Sequence, residues 1–500
     1  MKKVTSYLMV AAIALGFAAC SNEDVPNTTQ KDGTFIQVSF SEAKTGTRAS
    51  QADAVGTTQE SKVVSAAFLA GATKVDFSAF TQSGNTWTAN QAELYDGAFG
   101  VIRTALVVNP VGTPTLNATT TKAIGDLATL ANATSGFTMT SVSTGTNTIE
   151  QGVEKAVAEA GTKNQFTFQV ERVTSKVQVT QPDAGITVNV PGFSGATIES
   201  PRFAVAGSAT SVYLFADKAG TRQLDNTTNK YTNLETAIHN NPLSTYTGGI
   251  YTPRTGVTKV SAANTLVGIG TGWDSNLQSA DIIKDANYAT TSYTNNGIYF
   301  LENSINHTIT GKGQVKFSDI TFVKVYAKFV PAAGQVLKLD GSDLVAATVE
   351  EVNAGTTEIV GGETITNSAG TFYKGADDGK LYLTLTASRA AGNSKSEKYS
   401  GGKKVWKTPA NGQLSGDGTY FAYLDTRRNN IYSLQITQIT GLGDNYDPND
   451  TTDPNIPEPT DNPDEPDQDP DDPVDPAQTY VSVKATILDW NLVHRGVILE

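Results

Sequence analysis

"NQFTFQVERVTSKVQV", residues 164–179, alternates apolar and polar positions: Phe166, Phe168 and Val170 fall on one side, Thr167 and Gln169 on the other, and the pattern resumes at Val177 and Val179. A period of two is the signature of an extended strand with one buried side. The same alternation recurs in "TFIQVSF" (34–40), "ITFVKVYAKFV" (320–330) and "KLYLTLTAS" (380–388), with Gly, Asn and Asp turns between the runs. Such punctuation predicts antiparallel sheets with one wet face. Helical spacing occurs in a few windows, for instance around Thr121–Asn132 and Thr148–Ala160, which read as connections.

The chain has 500 residues, of which 38% are apolar and 17% charged, with 45 Gly, enough to bury more than one core. The expected fold class is all-β: two antiparallel β-sandwich (transthyretin-like) domains with short helices, followed by a tether and a terminal strand. Their expected bounds are 49–190 and 191–443, divided where Pro182 and Pro191 interrupt the strand pattern.

Both ends of the chain depart from this pattern. "MKKVTSYLMVAAIALGFAAC" has two lysines, a short apolar run and small residues before Cys20, the layout of a secretory signal over 1–20. Cys20 is the only cysteine, so no disulfide can form within the chain, and its place at the end of the signal points to lipidation. In 21–48, Ile36, Val38 and Phe40 alternate with Gln37 and Ser39 as a half-buried strand. "AKTGTRAS" follows, where Arg48 and Ala49 sit among Gly and Thr residues that leave the backbone open to a protease. Arg48 also reads as an ordinary solvated charge.

Between Asp444 and Pro476 the chain carries 13 Asp or Glu, nine Pro and no Lys or Arg, a charge equal to the net −13 of the whole protein. Residues 444–478 cannot bury apolar area to offset ordering entropy, and their prolines and mutual repulsion extend them as a tether. At about 3 Å per residue the reach is on the order of 100 Å. Residues 479–500 then bring a strand in which Val481, Val483, Ala485 and Ile487 alternate with Ser482, Lys484 and Thr486, continued by Trp490. This strand either folds back as an edge strand of its own chain or enters another molecule.

Catalytic patterns are missing. His239, His307 and His494 stand alone, with neither HExxH spacing nor a cysteine partner, so neither a metal site nor a cofactor is expected. "GIGTGWD" (268–274) lacks the third glycine of a dinucleotide loop and reads as a turn cluster. "DQDPDD" (467–472) begins like a calcium loop but lacks its glycine turn, continues with Pro473 and reaches Gln478 where the bidentate glutamate is needed. There is no G-x-S-x-G and no Walker sequence, so no enzyme activity is expected, although acids outside the tether leave a carboxylate pair for glycoside cleavage open. The acidic balance removes the electrostatic basis for nucleic-acid binding.

Several of these stretches together resemble the Bacteroidales fimbrilins, or type V pilins, shaft subunits of the Porphyromonas minor-fimbria kind among them. The likeness rests on "GFAAC" with Phe17 where leucine is usual, the acidic "SNED" behind it, the Arg48–Ala49 junction, and "NQFTFQVERVTSKVQV". It continues in "VKVYAKFVP" (323–331), "RRNNIYSLQITQITGLGDNYDP" (427–448), the Asp/Pro tether and "YVSVKATILDW" (480–490). The resemblance implies a precursor anchored in the outer membrane through lipid (palmitate) on Cys20 and cut after Arg48 by an arginine-specific protease. Loss of the strand holding Ile36, Val38 and Phe40 then opens a groove. The donor strand of another subunit, with Val481, Val483, Ala485, Ile487 and Trp490, fills it. The implied partners are further copies of the chain, accessory tip and anchor subunits, and host or bacterial adhesion receptors, on a cell-surface fimbria serving adhesion. Asp450-Thr451-Thr452 also fits a short glycosylation pattern. The competing readings are a monomeric surface lipoprotein that binds glycans or host proteins, and a secreted hydrolase.

Overall fold

The computed structural model of the protein describes residues 33–42, 62–116, 130–132, 135–142, 144–206, 214–215, 223–224, 231–232, 245–247, 250–252, 280–281, 283–284, 297–302, 311, 315, 320–424, 426–445 and 481–489. The strands that position the site are β1 (Thr34–Glu42), β2 (Thr86–Ala89), β3 (Glu93–Tyr95), β4 (Gln165–Arg172), β5 (Thr174–Gln181), β6 (Phe322–Val330), β7 (Lys403–Pro409), β8 (Asn430–Ile439) and β9 (Val481–Asp489). Among the described residues, short α-helices accompany them: α1 (Lys155–Glu159), α2 (Val349–Ala354) and α3 (Leu385–Ala390).

The first core is enclosed by one ten-stranded sheet. Its order is Thr73–Phe77, Ala66–Ala70, Gly100–Val108, Met139–Ser141, β4, β1, β2 and Phe80–Ser83, with Gly145–Ile149 paired to Gly100–Val108 and β3 paired to β1. Alternate side chains meet inside, among them Phe68, Leu106, Met139, Phe166, Phe168 and Val170. The second core lies between a six-stranded sheet that contains β5, β8 and β9 and a five-stranded sheet that contains β6 and β7. Val177 and Val179 of β5, Leu434 and Ile436 of β8, Val323 and Val325 of β6, and Trp406 of β7 share it.

The all-β class holds, with two refinements that periodicity does not carry. Most ladders are antiparallel, but β1 runs parallel to β4 and β5 runs parallel to β8. Alternation reports which side is buried and says nothing of chain direction. The passage between the cores also differs from the expected 190/191 boundary: β4 belongs to the first sheet and β5 to the second, so the chain crosses at Val173. Neither Gly nor Pro interrupts 164–181, and a single bend at Val173 is all that separates β4 from β5. Pro182 and Pro191 punctuate only the loops beyond it, where Thr187–Val188 still pairs with β8.

Between β6 and β7, which are neighbours in their sheet, the chain inserts a module with its own five-stranded sheet: Asp343–Ala346, Val336–Asp340, Leu381–Tyr382, Phe372–Gly375 and Ser396–Tyr399. "KLYLTLTAS", expected to be a strand, splits here into the two-residue strand Leu381–Tyr382 and α3. Capping overrides the alternation. The Thr384 side chain accepts from Ala387 N, and the Glu358 carboxylate accepts from Leu385 N and Thr386 N at 2.9 Å each. These bonds occupy amides that a helix start leaves without partners. The window Thr148–Ala160 is strand as far as Ile149 and helical only in α1; of Thr121–Asn132, residues 121–129 lie outside the described residues and Ala131–Asn132 is a strand.

Candidate functional site: the slot filled by the first strand

β1 lies in the middle of its sheet. Along one edge Gln37–Glu42 pair with Gln165–Val170 of β4; along the other, Ser39–Ser41 pair with Thr86–Thr88 of β2 and Thr34–Ile36 with Glu93–Tyr95 of β3. The three predicted inward residues are where the period puts them: Ile36, Val38 and Phe40 are all 0% exposed. Phe40 stacks on Trp87, with centroids 5.7 Å apart, and meets Phe80 edge-on at 5.5 Å. Fully burying such side chains contributes about 1.5–3 kcal/mol each.

The other side of β1 is not wet, contrary to the half-buried expectation. Gln37 is 3% exposed and Ser39 7%. The Gln37 amide donates from Nε2 to Ala89 O at 2.6 Å, and the Ser39 and Thr167 hydroxyls lie 2.9 Å apart. Polar side chains are tolerated there because neighbouring strands supply hydrogen-bond partners. Burial on both sides is the mark of a central strand, and β1 becomes central only because β4 approaches from a distant part of the chain.

Three features hold the ends of β1. At its start, Phe35 N donates to Val153 O, and Gly152 N donates to the Thr34 hydroxyl at 2.8 Å. Asn164, at φ 50°, turns the chain into β4; its Nδ2 donates to Phe35 O and its carbonyl accepts from Gln37 N. Asparagine tolerates this left-handed conformation better than most residues. Tyr95 of β3 packs in the same region and donates to Ala98 O, and burial pushes its phenol above the usual value. At the far end Glu42 and Arg172 form an ion pair at 3.0 Å, with side chains only 5% and 1% exposed.

Arg172 also joins the two cores. Asn429, at φ 58°, accepts from Arg172 N through its Oδ1, and Asn429 N donates to Thr174 O. On the opposite edge, Val173 N donates to Thr138 O. The backbone groups of Asn164, Arg172 and Thr174 therefore face one edge of the β4–β5 run. β1 occupies the first part of that edge and β8 the second, end to end and both parallel to it. Next to this junction Arg428 forms a second buried pair with Glu302, its Nε 2.7 Å from Oε1, both side chains 0% exposed, and donates from NH1 to Leu214 O. "RRNNIYSLQI" thus packs its charges inward.

The terminal strand β9 pairs antiparallel with β8 of its own chain, from Val481 opposite Ile439 to Asp489 opposite Asn430, with one irregularity between Ile436 and Gln438. Val483, Ala485 and Ile487 stand opposite Ile436, Leu434 and Tyr432. Within one chain the structure therefore brings Ile36, Val38 and Phe40 into one slot and leaves Val481, Val483, Ala485 and Ile487 on another edge. Cys20, Arg48, Ala49, Trp490, the three histidines, "GIGTGWD", "DQDPDD" and Asp450-Thr451-Thr452 lie outside the described residues. Among the described residues, no cluster of three His, Cys, Asp or Glu could hold a metal ion, and no helix is long and apolar enough to cross a membrane.

The sequence reading missed Glu42, Asn164, Arg172 and Asn429. A signal for two of them was present. Ile36, Val38, Phe40 and Glu42 occupy successive inward positions, and so do Phe166, Phe168, Val170 and Arg172. Two strands that each end an apolar row in a charge, of opposite sign, are suited to lie side by side.

No family model matches the chain, and no curated protein does. Solved structures do. A candidate cell adhesion protein from Parabacteroides distasonis aligns over 93% of this chain and 99% of its own at 12% identity, with a TM-score of 0.43. A fimbrilin from Porphyromonas gingivalis aligns over 93% and 100% at 14% identity, with a TM-score of 0.41.

Proposed function

We propose that this chain is a structural subunit of a cell-surface fimbria. It is exported as an outer-membrane lipoprotein through Cys20, activated by cleavage after Arg48, and polymerised head to tail when the C-terminal strand of one chain replaces β1 of another. The observation that carries this reading is the position of β1: a first strand, buried on both sides, lying between β4 on one edge and β2 and β3 on the other. A cut behind such a strand frees it without breaking the rest of the sheet. What remains is an apolar slot with unpaired backbone groups along both walls, an arrangement that demands another strand. Because donor and slot belong to different parts of the chain, the contact is heterologous and grows an open filament.

The monomeric alternative, a surface lipoprotein binding glycans or host proteins, is favoured by one observation: β9 already has a place on β8. Strand exchange requires it to leave that edge. One experiment separates the two. Treat the full chain, a chain ending at Thr479 and an Arg48→Ala chain with an arginine-specific protease, then compare them by native gels and electron microscopy. Filaments are expected from the full chain alone. Filaments of normal length from the shortened chain would refute strand exchange, and monomers throughout would favour the alternative.

A further inference from the structure

We propose that β9 of a second chain enters the slot in one fixed register, Val481 in place of Thr34 through to Asp489 in place of Glu42, with Arg172 selecting that register through the carboxylate of Asp489. The inference rests on the strand-exchange reading above and adds to it which residue of the incoming strand stands at each position of the slot.

β1 and β9 are both nine residues long, and each ends in an acid. Aligned from end to end, Val483, Ala485 and Ile487 replace the core residues Ile36, Val38 and Phe40. Thr486 replaces Ser39, keeping a hydroxyl beside Thr167, whose own hydroxyl lies 2.9 Å from that of Ser39. Lys484 replaces Gln37. That position needs a donor, because Gln37 Nε2 reaches Ala89 O at 2.6 Å, while Gln37 Oε1 has no hydrogen-bond partner among the described residues. A donor-only side chain meets the requirement and removes the buried acceptor. Asp489 then stands where Glu42 meets Arg172 at 3.0 Å.

Other registers fail on the same residues. Moving β9 two places one way puts Asp489 at Phe40's position, between Phe80 and Trp87, an unpaired charge among rings. Two places the other way sets Ile487 at the position of Glu42, an apolar side chain against the Arg172 guanidinium. A shift by one turns the apolar row away from the core. The polarity must match that of β1, parallel to β4, for all these correspondences to hold together. The fit is incomplete: Val481 cannot accept from Gly152 N as the Thr34 hydroxyl does at 2.8 Å, and Ile487 lacks the ring that Phe40 stacks on Trp87. β1 is the better occupant of the slot, so β9 enters only after cleavage has released it.

Cleavage after Arg48 also removes Cys20, the only cysteine, so engineered thiols would be the only ones present. Cleaved chains carrying Thr167→Cys are mixed with cleaved chains carrying Lys484→Cys, Thr486→Cys or Leu488→Cys and treated with a short thiol cross-linker. Cross-linking between chains is expected to be about tenfold faster for Thr486→Cys than for the other two. Preference for Lys484→Cys or Leu488→Cys would overturn the register while leaving strand exchange intact. No cross-link with any of the three, together with filaments from the chain ending at Thr479, would remove both. Asp489→Asn should yield filaments that dissociate about tenfold faster in detergent, with Asp489→Glu close to the parent. Equal dissociation for all three would overturn the role given to Arg172.

Discussion

Removing the Glu42 carboxylate should loosen β1 far more than removing a surface charge. The carboxylate lies 3.0 Å from Arg172, and the two side chains are 5% and 1% exposed, so solvent cannot take over when one is lost. Breaking one side of a buried pair costs about 3–5 kcal/mol. Arg172 interacts with more than Glu42, which places Glu42→Ala near the lower end, about 3 kcal/mol. Since about 1.4 kcal/mol corresponds to a factor of ten, the β1 amides should exchange with solvent roughly a hundredfold faster. Hydrogen exchange followed by mass spectrometry on the uncleaved chain reads this at Val38 and Phe40 directly. Adding Arg172→Met should recover most of the loss, because an apolar replacement of both partners removes the stranded charge. Acceleration of less than about threefold in Glu42→Ala, or no recovery in the double variant, would refute the view that this pair locks the strand.

Two further predictions concern other parts of the molecule. Glu358→Ala should destabilise the inserted module by about 1–2 kcal/mol, because the carboxylate caps α3 through Leu385 N and Thr386 N; urea unfolding measures it, and Glu358→Gln should recover part. Lys324 of β6 faces Lys407 of β7, and burial, with the nearby Lys407 charge, holds its ammonium well below the usual 10.5. A lysine depressed in the folded state is protonated first in the unfolded chain. Its contribution therefore weakens stability as pH falls from 10.5 toward the folded value and is constant below that. Lys324→Met should remove this slope, at most about 1.4 kcal/mol per pH unit, in urea midpoints compared across the alkaline range.

The strands with strict alternation were legible because packing obeys the same period: Ile36, Val38 and Phe40, then Phe166, Phe168 and Val170, all face the core. What could not be read is what comes from distant chain. Gln37 and Ser39 look solvated in sequence and are buried because β2 and β4 close over them. Parallel pairing of β1 with β4 leaves no trace in either strand taken alone. The crossing at Val173 was hidden because its surroundings contain no breaker, and α3 was hidden because its decisive cap, Glu358, lies in a separate part of the chain. The slot itself was half visible: its occupant was evident from period, while the Arg172 that closes it required two strands to be compared position by position.

The shared β4–β5 run has a mechanical consequence. β1 and β8 lie along the same edge of the consecutive strands β4 and β5, so a pull on the occupant of the slot, directed along its axis, loads its ladder bonds in shear. They must yield together instead of peeling from one end. The force then passes along covalent backbone, through the bend at Val173, from the first core to the second. Resistance to stretching is governed by the rate of that concerted rupture, which can be slow even where the equilibrium advantage of the bound strand is modest.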